Sequence, residues 1–509
     1  MASSNQNELR RNARFRFYEF IPGTLTWITI ILAIFLSFVR PLWVIYFVIV
    51  FDLYWLFRVC YFIFYISLSW KNYRRDIRID WQKKLEAEIS DWRKIYHVIF
   101  LPTYNESIEV LRNTFSSLVQ TKFPLDRFIV VLAGEERVGR EAFTQKAEMI
   151  KKEFGDNFFR FIYTIHPVDL LDEVPGKGSN INYAGHEIKK IIDQELHIDY
   201  QDIIVSSFDI DTCAHTQYFS CLTYKYLTHP DRLKTSYQPI ALYNNNIWQS
   251  DSITRISSFG TTFWLMTELM RPERLFTFSS HSMSWQMLVD VDFWEKDIVT
   301  EDSRIYLQGF LRYNGNYSVT PIFVPVSMTT VSCDSWWQSL KSLYKQQRRW
   351  AWGAEHIPYM LWHFKEKKKK NLIPFGARFR LIWNQIEGMY SWATVPILIT
   401  ILGRLPLYLT KGQEKATVLA QNAPFVMEKL MGLAMIGMFI SIISNLLMLP
   451  PRPDQTPRHK YLIMVLQWVL LPITLILFGS IPAIDAQTRL MLGGKYRLGF
   501  WVSPKKHNL

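Results

Sequence analysis

Five long apolar runs, two near the start of the chain and three near its end, most strongly limit what this sequence can fold into. They cover residues 21–39, 42–68, 381–402, 425–449 and 461–484. Each run is long enough to cross a hydrocarbon layer of about 30 Å as a helix. Because a charge is costly in lipid, Arg58 in the second run is expected to reach the interface or to face another helix. The layout predicts a central domain with membrane helices before and after it.

Basic residues flanking the first two runs predict the orientation of these runs. Cytoplasmic flanks of membrane helices carry an excess of Lys and Arg. Here the basic residues are Arg10, Arg11, Arg14, Arg16, Lys71, Arg74, Arg75 and Arg78. We therefore expect a multi-pass protein of the cell membrane whose central domain is cytoplasmic. No small-residue cleavage site follows the first run, so it is interpreted as an anchor rather than a signal peptide.

The last three runs leave the side of the C-terminal tail open. The loop of residues 450–460 is short and basic, and is therefore predicted to be cytoplasmic. Three complete crossings would place the basic tail, Lys495 to Lys506, outside, against the charge rule. Either one run is re-entrant, with Pro406 or Pro472 as the candidate break, or the tail is extracytoplasmic.

The formal net charge of +13 indicates an anionic partner. Nucleic acid, anionic lipid and an anionic substrate are all compatible with such a surplus. The basic residues concentrate beside the apolar runs, and no nucleic-acid-binding motif is present. The lipid bilayer and a nucleotide substrate are therefore the expected partners, and nucleic acid is not. The four cysteines lack the spacing of a disulfide framework, as suits a reduced cytosolic domain.

Residues 93–330 have the pattern of an α/β domain. Apolar strands are predicted at residues 96–101 and 125–132, with a helix at 107–120 between them. Such a βαβ unit implies a parallel sheet that binds ligands at the carboxyl ends of its strands. A further predicted strand, residues 203–208, ends immediately before Asp209 at that edge.

Asp209 and Asp211 are the candidate metal ligands. Two residues apart on an extended segment, they are expected to project to the same side. A hard divalent cation with oxygen ligands neutralises the charge that accumulates on a diphosphate leaving group. The expected cofactor is Mg²⁺ or Mn²⁺. The alternative is an Asx turn that only ends the strand.

Thr300, Glu301 and Asp302 include a candidate general base. A carboxylate within hydrogen-bond reach of a hydroxyl can accept its proton during a direct displacement. Asp302 is assigned this role, and Glu301 and Thr300 are expected to orient it. The same residues suit the start of a helix over residues 303–310. Both interpretations hold together, because a base on a helix N-terminus is well fixed.

Gln346, Arg349 and Trp350 form a third group. A guanidinium suits a pair of diphosphate oxygens, and an indole ring offers a flat face to sugar C–H groups. The alternative is an aromatic belt with basic contacts to lipid headgroups. Trp336, Trp337 and Trp352 are interpreted as that belt.

The order of these motifs along the chain is similar to that of a known family. Residues 98–352 resemble a family 2 glycosyltransferase with the GT-A fold, of the integral-membrane, cellulose-synthase-like branch. The matching motifs are Pro102-Thr103-Tyr104-Asn105-Glu106, the G-K-x-x-N-x-N element in residues 175–182, the D-x-D of Asp209-Ile210-Asp211, the T-E-D of Thr300-Glu301-Asp302 and the Q-x-x-R-W of Gln346 to Trp350. The resemblance implies an α/β GT-A domain inserted between transmembrane α-helices.

The resemblance also implies roles for individual residues. It makes Asp302 the catalytic base, assisted by Glu301, and assigns nucleotide or phosphate contacts to Tyr104 and Lys177. Gln346, Arg349 and Trp350 would line the donor and acceptor sites on an interfacial helix. The motifs add three further substrate-binding candidates: Thr103, Glu106 and Asn180.

One departure from the family pattern affects the donor site. The family commonly has Asp-Asp-Gly after its second strand, where this chain has Ala133-Gly134-Glu135-Glu136-Arg137. A longer carboxylate can still reach a nucleobase or ribose. Glu135 or Glu136 is therefore the expected substitute.

The expected function is inverting, metal-dependent transfer of a hexose from a nucleotide sugar, UDP-linked, to a growing polysaccharide. One alternative is transfer of a single sugar to a lipid or lipid-linked acceptor. A non-catalytic sugar-binding scaffold is the other, and the intact Asp211 and Asp302 argue against it. The chain is expected to begin with an arm and two membrane helices (residues 1–92), followed by the GT-A domain (93–330) and an amphipathic interfacial region (331–376). About three membrane helices (377–486) and a basic tail (487–509) are expected to complete it.

Overall fold

The computed structural model describes residues 12–369, 372–410 and 417–499. The predictions for Arg10, Arg11 and the tail beyond residue 499 lie outside this part of the chain. The helices are α1 Ala13–Val39, α2 Pro41–Asp76, α3 Trp81–Glu88, α4 Ile108–Val119, α5 Arg140–Phe154, α6 Lys177–Ile191, α7 Tyr218–Thr228, α8 Ser252–Glu268, α9 Trp285–Val291, α10 Glu301–Arg312, α11 Trp336–Ala351, α12 His356–Lys369, α13 Phe375–Ile397, α14 Leu405–Leu409, α15 Val418–Leu447, α16 His459–Leu466, α17 Leu471–Leu475 and α18 Ile481–Leu492.

A mixed sheet of eight strands forms the centre of the sheet domain. The strands are β1 Tyr96–Pro102, β2 Phe128–Glu135, β3 Arg160–His166, β4 Ile203–Ser207, β5 Cys213–Ala214, β6 Thr235–Tyr243, β7 His281–Ser284 and β8 Ser318–Met328. Their order is β3-β2-β1-β4-β7-β6-β8-β5. The first four neighbours run parallel, whereas β7 is antiparallel to both β4 and β6. The carboxyl ends of β1, β2 and β4 therefore share one edge.

The predicted βαβ unit is confirmed as β1, α4 and β2. Val98 pairs with Ile129 in the parallel register, and the apolar face of α4, which includes Val110 and Phe115, is buried against the sheet. Burying a side chain of this size stabilises the fold by about 1.5–3 kcal/mol. The second strand starts later than predicted, because residues 125–127 form a short 3₁₀ turn after Pro124.

All five apolar runs lie in helices that are long and apolar enough to cross a membrane. These segments are Ala13–Val39, Pro41–Asp76, Phe375–Leu409, Val418–Leu447 and His459–Leu492. The last one includes residues 487–492, so the predicted tail begins as helix. Arg58 faces another helix, because its guanidinium lies 3.2 Å from the Glu387 carboxylate of α13. The second of the two expectations for Arg58 is confirmed.

Candidate active site

A cavity of about 690 Å³ begins at the carboxyl edge of the sheet and continues between the apolar helices. On the sheet side, Thr103, Glu135 and Asp209 line it, at the ends of β1, β2 and β4. On the helix side, Trp55 of α2 and Trp392 of α13 are part of its wall. Open α/β sheets bind ligands at this edge. One cavity thus joins the predicted ligand edge to the long apolar helices.

Lys177 brings together two carboxylates that are far apart in sequence. Its Nζ lies 2.7 Å from Asp209 Oδ1 and 2.9 Å from Asp302 Oδ1. Burial alone would lower the pKa of Lys177, but the charges of Asp209 and Asp302 outweigh burial and raise it above its ordinary value. The lysine is therefore charged at physiological pH. The G-K, D-x-D and T-E-D motifs meet at this one ammonium group.

The local structure explains why these three side chains converge. Lys177 is the first residue of α6, Asp209 follows the buried strand β4, and Asp302 lies in the first turn of α10. Gly178 permits the close approach of α6 to α10, because a Cβ there would lie 3.2 Å from the Glu301 Cβ. A larger residue would push the two helix starts apart.

Glu301 is buried beside Asp302 and lines the same cavity. Burial, together with the Asp302 charge, raises the pKa of Glu301 above its ordinary value. Its Oε2 is buried without a hydrogen-bond partner among the described residues. Two adjacent carboxylates in such a site do not ionise equally. Asp302 is the one held by Lys177, which suits the role predicted for it.

Glu106 organises the turn after β1. Its Oε2 accepts hydrogen bonds from Thr103 Oγ1, at 2.8 Å, and from the Tyr104 backbone N–H, at 2.7 Å. The Arg137 guanidinium lies 4.6 Å from the centroid of the Tyr104 ring. Thr103, Tyr104 and Glu106 all line the cavity. The first motif thus forms a compact wall at the carboxyl end of β1.

The structure separates Glu135 from Glu136. Glu135 is buried, lines the cavity and pairs with Arg137. Glu136 is not part of the cavity wall; it accepts a hydrogen bond from Arg140 at 3.2 Å. Asn180 lies near Glu135 at this end of the cavity, because its Nδ2 donates to the Ala133 carbonyl at 2.8 Å. Asn180 also lines the cavity, and its Oδ1 is buried without a hydrogen-bond partner among the described residues.

The expected extended arrangement of Asp209 and Asp211 is wrong. Residues 210 and 211 form a turn, and the two carboxylates have different surroundings. Asp211 is 1% exposed, is not part of the cavity wall, and accepts a 2.7 Å hydrogen bond from the Thr329 backbone N–H. Asp209 lies in the cavity wall beside Lys177. The backbone after β8 therefore holds Asp211 behind the cavity wall, whereas Asp209 is part of that wall.

The donor set fits a cation that is shared with a substrate rather than one held by protein alone. No cluster of three His, Cys, Asp or Glu side chains suited to a metal occurs among residues 12–369, 372–410 and 417–499. Mg²⁺ commonly binds through one or two carboxylates plus substrate phosphates and water. Asp209 is the carboxylate of this kind in the cavity wall, whereas Asp211 lies outside the wall and accepts the hydrogen bond of the Thr329 N–H.

The Q-x-x-R-W residues line the cavity from α11. Gln346, Arg349 and Trp350 are all part of its wall, and the Trp350 ring lies 6.0 Å from that of Tyr243 at the end of β6. Arg348 points elsewhere and lies 2.8 Å from Asp485 of α18. Gln347 lines the cavity as well, so Arg348 is the one residue of the five that is not part of the wall and pairs with a neighbouring helix instead.

A buried clasp that sequence analysis missed joins α10 to the residues that follow α11. Thr300 Oγ1 donates to Glu355 at 2.7 Å, and Ser303 Oγ lies 2.8 Å from His356 Nε2. The Arg304 side chain contacts the same histidine at 3.2 Å. The signal was the polar sequence that directly follows T-E-D, together with an acidic residue and a histidine shortly after Q-x-x-R-W.

Tyr243, in the cavity wall, and His281, buried beside Asp302, are two further residues that were not selected as site residues. The His281 ring lies 3.8 Å from Asp302, and its Nδ1 shares a 2.8 Å hydrogen bond with the Phe278 carbonyl. Burial lowers the pKa of His281, so the ring is neutral at physiological pH. Burial also raises the pKa of the Tyr243 hydroxyl. Neither residue belongs to a motif that spacing alone would reveal.

Comparison with known proteins gives only distant structural likenesses. No protein-family model matches the chain, and no curated protein matches it. Among solved structures, it is similar to mannosyltransferase PcManGT from Pyrobaculum calidifontis in complex with GDP-Man and Mn²⁺, at 13% identity and a TM-score of 0.41, over 76% of this chain and 99% of that one.

Two structures of S. aureus TarS 1–349 are also similar. The first has 11% identity and a TM-score of 0.35, over 69% of this chain and 90% of that one. The second, in complex with UDP-GlcNAc, has 12% identity and a TM-score of 0.34, over 72% and 97% of the two chains. TM-scores this low do not establish a shared fold.

Proposed function

We propose that this protein is a membrane-bound, inverting glycosyltransferase that transfers a hexose from a nucleotide sugar, UDP-linked, to a growing polysaccharide. The observation that carries the proposal is the meeting of Lys177, Asp209 and Asp302 in a cavity that Gln346, Arg349 and Trp350 also line. The parallel arrangement of β1 to β4 around this edge supports a GT-A fold, and the sequence motifs support family 2. A scaffold would have no need for a charged cluster of this kind.

The chemistry is a single displacement at the anomeric carbon. Asp302 accepts the proton of an acceptor hydroxyl, whose oxygen forms the new glycosidic bond while the bond to the diphosphate breaks. Attack from the side opposite the leaving group inverts the anomeric configuration. Lys177 and Arg349 supply positive charge to the departing nucleoside diphosphate. Asp209 and Asp211 would hold Mg²⁺ or Mn²⁺, which would neutralise part of the diphosphate charge.

The helix side of the cavity supports a glycan acceptor. Its wall contains the indole rings of Trp264, Trp392 and Trp468 and the amide groups of Asn384 and Gln385. Aromatic faces and amides together are suited to sugars, which present C–H faces and hydroxyl edges. A cavity that continues from the transfer site between apolar helices would receive the product as it grows.

A lipid-linked acceptor is the second candidate. Leu471, Leu475 and Phe478 line the same cavity, next to Val395 of α13. Such apolar walls would accommodate a hydrocarbon chain, with the acceptor hydroxyl directed toward Asp302. The two candidates share the donor site and differ in the length of the product.

The direct test is to incubate membranes containing the protein with a panel of radiolabelled nucleotide sugars and to size the products. Long products, formed only with the intact protein and with one class of donor, would support the polysaccharide proposal. Lipid-extractable products carrying one sugar would support the second candidate. Absence of transfer from every donor, with and without Mn²⁺, would contradict both.

Replacing Trp350 with alanine is expected to shorten the product and to leave donor binding intact. Aromatic contacts contribute about 0.5–1.5 kcal/mol beyond burial, so losing one weakens retention of the acceptor at each cycle. Gel sizing of the product measures the effect. Trp337→Ala is the matched control, because Trp337 lies on the same helix, is 72% exposed and is not part of the cavity wall. Equal shortening in both variants would remove Trp350 from the acceptor site.

Replacing Glu135 with glutamine is expected to raise the KM for the donor by about 10-fold or more, because a hydrogen bond to a charged group contributes about 1.5–3 kcal/mol. Glu136→Gln should leave the donor KM unchanged, since Glu136 lies outside the cavity wall. Steady-state kinetics with varied donor measure both. An increase for Glu136→Gln alone would reverse the assignment.

A further inference from the structure

Four of the five apolar segments have one end at the sheet domain, and their opposite ends pack against one another in clusters apart from the core of that domain. Ile66 of α2, Leu381 of α13 and Met448 after α15 belong to the core of the sheet domain. For α1, Phe15 packs against Trp362 of α12, with ring centroids 6.0 Å apart. The opposite ends of these segments meet in two separate clusters, which contain Ala33, Leu398 and Leu402 in one, and Val44, Val48 and Met427 in the other.

The fifth segment, His459–Leu492, starts at the sheet domain. Lys460 Nζ donates to the Trp248 carbonyl at 2.7 Å, and the Tyr461 and Trp248 rings lie 5.1 Å apart. Trp248 is in the connection between β6 and α8. Further along, Gln467 accepts a 2.8 Å hydrogen bond from the buried Arg255 of α8. The first half of this segment thus packs on a helix of the sheet domain.

The same segment also ends on the sheet-domain side. Arg16, near the start of α1, donates to the Met491 carbonyl at 2.8 Å. Asp485 pairs with Arg348 of α11 at 2.8 Å. Two side-chain hydrogen bonds of 2.8 Å also join α1 to α18. Thr26 Oγ1 donates to Gln487 Oε1, and Trp27 Nε1 donates to Thr488 Oγ1. The C-terminal part of the segment therefore lies beside the first half of α1, at the sheet-domain end.

The middle of the segment has the features of a bend. The helix changes to a 3₁₀ turn at Gln467–Leu470, is followed by Pro472, and widens to a π turn at Ile476–Ser480. Such irregular backbone is tolerated at membrane depth where protein or a cavity surrounds it. Thr474 and Phe478 line the cavity here, and Ser480 Oγ donates to the Trp392 carbonyl at 3.2 Å.

We infer that His459–Leu492 is a re-entrant segment that enters the membrane from the sheet-domain side, bends near Pro472 beside the cavity and returns to the same side. A helix of this length that crossed the membrane would place its ends about 50 Å apart, since each residue adds about 1.5 Å. Both ends instead contact elements at the sheet-domain end. The protein then has four crossings, and Lys495 lies on the same side as the sheet domain.

With a break at Pro472, the last apolar run does not cross the membrane, and the basic residues after it lie on the side that the charge rule requires. The break also explains how a segment of high hydropathy forms part of the cavity wall while its two ends are tied to α8 and α11. The inference does not depend on the proposed transfer of sugar. A protein with no transferase activity would show the same topology.

The test is labelling of single cysteines with a membrane-impermeant maleimide in the full chain. The four native cysteines are replaced by serine, and one cysteine is introduced at a time by Lys152→Cys on α5, Arg40→Cys between α1 and α2, and Lys495→Cys. All three positions are exposed. Each variant is labelled in intact cells, in inside-out vesicles and after detergent solubilisation, which confirms that the thiol is reactive.

Before solubilisation, we expect Lys495→Cys to be labelled in the same preparation as Lys152→Cys, either intact cells or inside-out vesicles. Arg40→Cys is expected to be labelled in the other of these two preparations. Labelling of Lys495→Cys together with Arg40→Cys would overturn the inference, since it would require a fifth crossing. Asp454→Cys, in the exposed loop before the segment, provides a second measurement. If Asp454→Cys and Lys495→Cys are labelled from opposite sides, the segment crosses and the re-entrant assignment is wrong.

Discussion

Replacing Asp302 with asparagine is expected to lower the turnover number by at least about 100-fold, because general-base catalysis contributes about 10²–10⁴-fold. The amide oxygen can still accept a hydrogen bond from Lys177, whose Nζ lies 2.9 Å from Asp302 Oδ1, so the donor site should remain assembled. The measurements are the initial rate at saturating donor and the donor dissociation constant. We expect the first to fall and the second to change little.

The control for this variant is Asp292→Asn, which removes a carboxylate whose side chain is 77% exposed. It should have the turnover of the unmodified protein. If Asp302→Asn also retained that turnover, the base would have to be another group, and Glu301 would be the next to replace. If both donor binding and turnover were lost, Asp302 would be a binding residue and its assignment as base would fail.

Replacing Asp211 with asparagine is expected to lower metal-stimulated turnover by at least about 100-fold. The contribution of a bound cation to transition-state stabilisation is several kcal/mol, and each 1.36 kcal/mol corresponds to tenfold in rate. Asparagine keeps an oxygen that accepts the hydrogen bond from the Thr329 N–H. The loss should therefore concern the cation and not the local fold. Rates are measured across a range of Mn²⁺ and Mg²⁺ concentrations.

A matched control is Asp126→Asn, which removes a carboxylate that is 59% exposed and pairs with Arg93 on the surface. Its metal dependence should equal that of the unmodified protein. Full activity of the unmodified protein in excess EDTA would contradict the metal assignment for both Asp209 and Asp211. If the free energy of unfolding of Asp211→Asn fell by as many kcal/mol as its activation free energy rose, the result would instead indicate a structural role for Asp211.

The parts of the fold that depend on local patterns were predictable. The β1–α4–β2 unit follows from short apolar strands around an amphipathic helix, and the five apolar helices follow from run length. The antiparallel insertion of β7 between β4 and β6 was not predictable, because no local signal sets the order of strands. It depends on contacts such as Ser206 Oγ to Ser282 Oγ, at 2.8 Å.

The site shows the same division. The motifs marked Lys177, Asp209 and Asp302 as separate site candidates, and the structure places the two carboxylates around the Lys177 ammonium group. Their roles remain predictions. The orientation of Asp211 was wrong, because the Thr329 N–H that holds it is 118 positions further along the chain. A two-residue spacing carries no information about such a partner.

The choice between Glu135 and Glu136 also required three-dimensional structure. Glu135 ends β2 and Glu136 follows it with the same side chain, and only the structure shows that Glu135 lines the cavity and pairs with Arg137. Arg348 is the corresponding case on α11, since its partner Asp485 lies in a distant helix. Neighbouring residues of one type diverge where the backbone turns them to opposite faces.

The clasp formed by Thr300, Ser303 and Arg304 with Glu355 and His356 limits how this protein can be recombined. It joins the helix that carries Asp302 to Glu355 and His356, which lie between α11 and α12 and at the start of α12. A chimaera that exchanged α11 and α12 for those of another protein would alter the support of Asp302 as well as the cavity wall. Under the proposed function, new acceptor preferences are therefore more accessible through single changes on the cavity face of α11 than through exchange of whole helices.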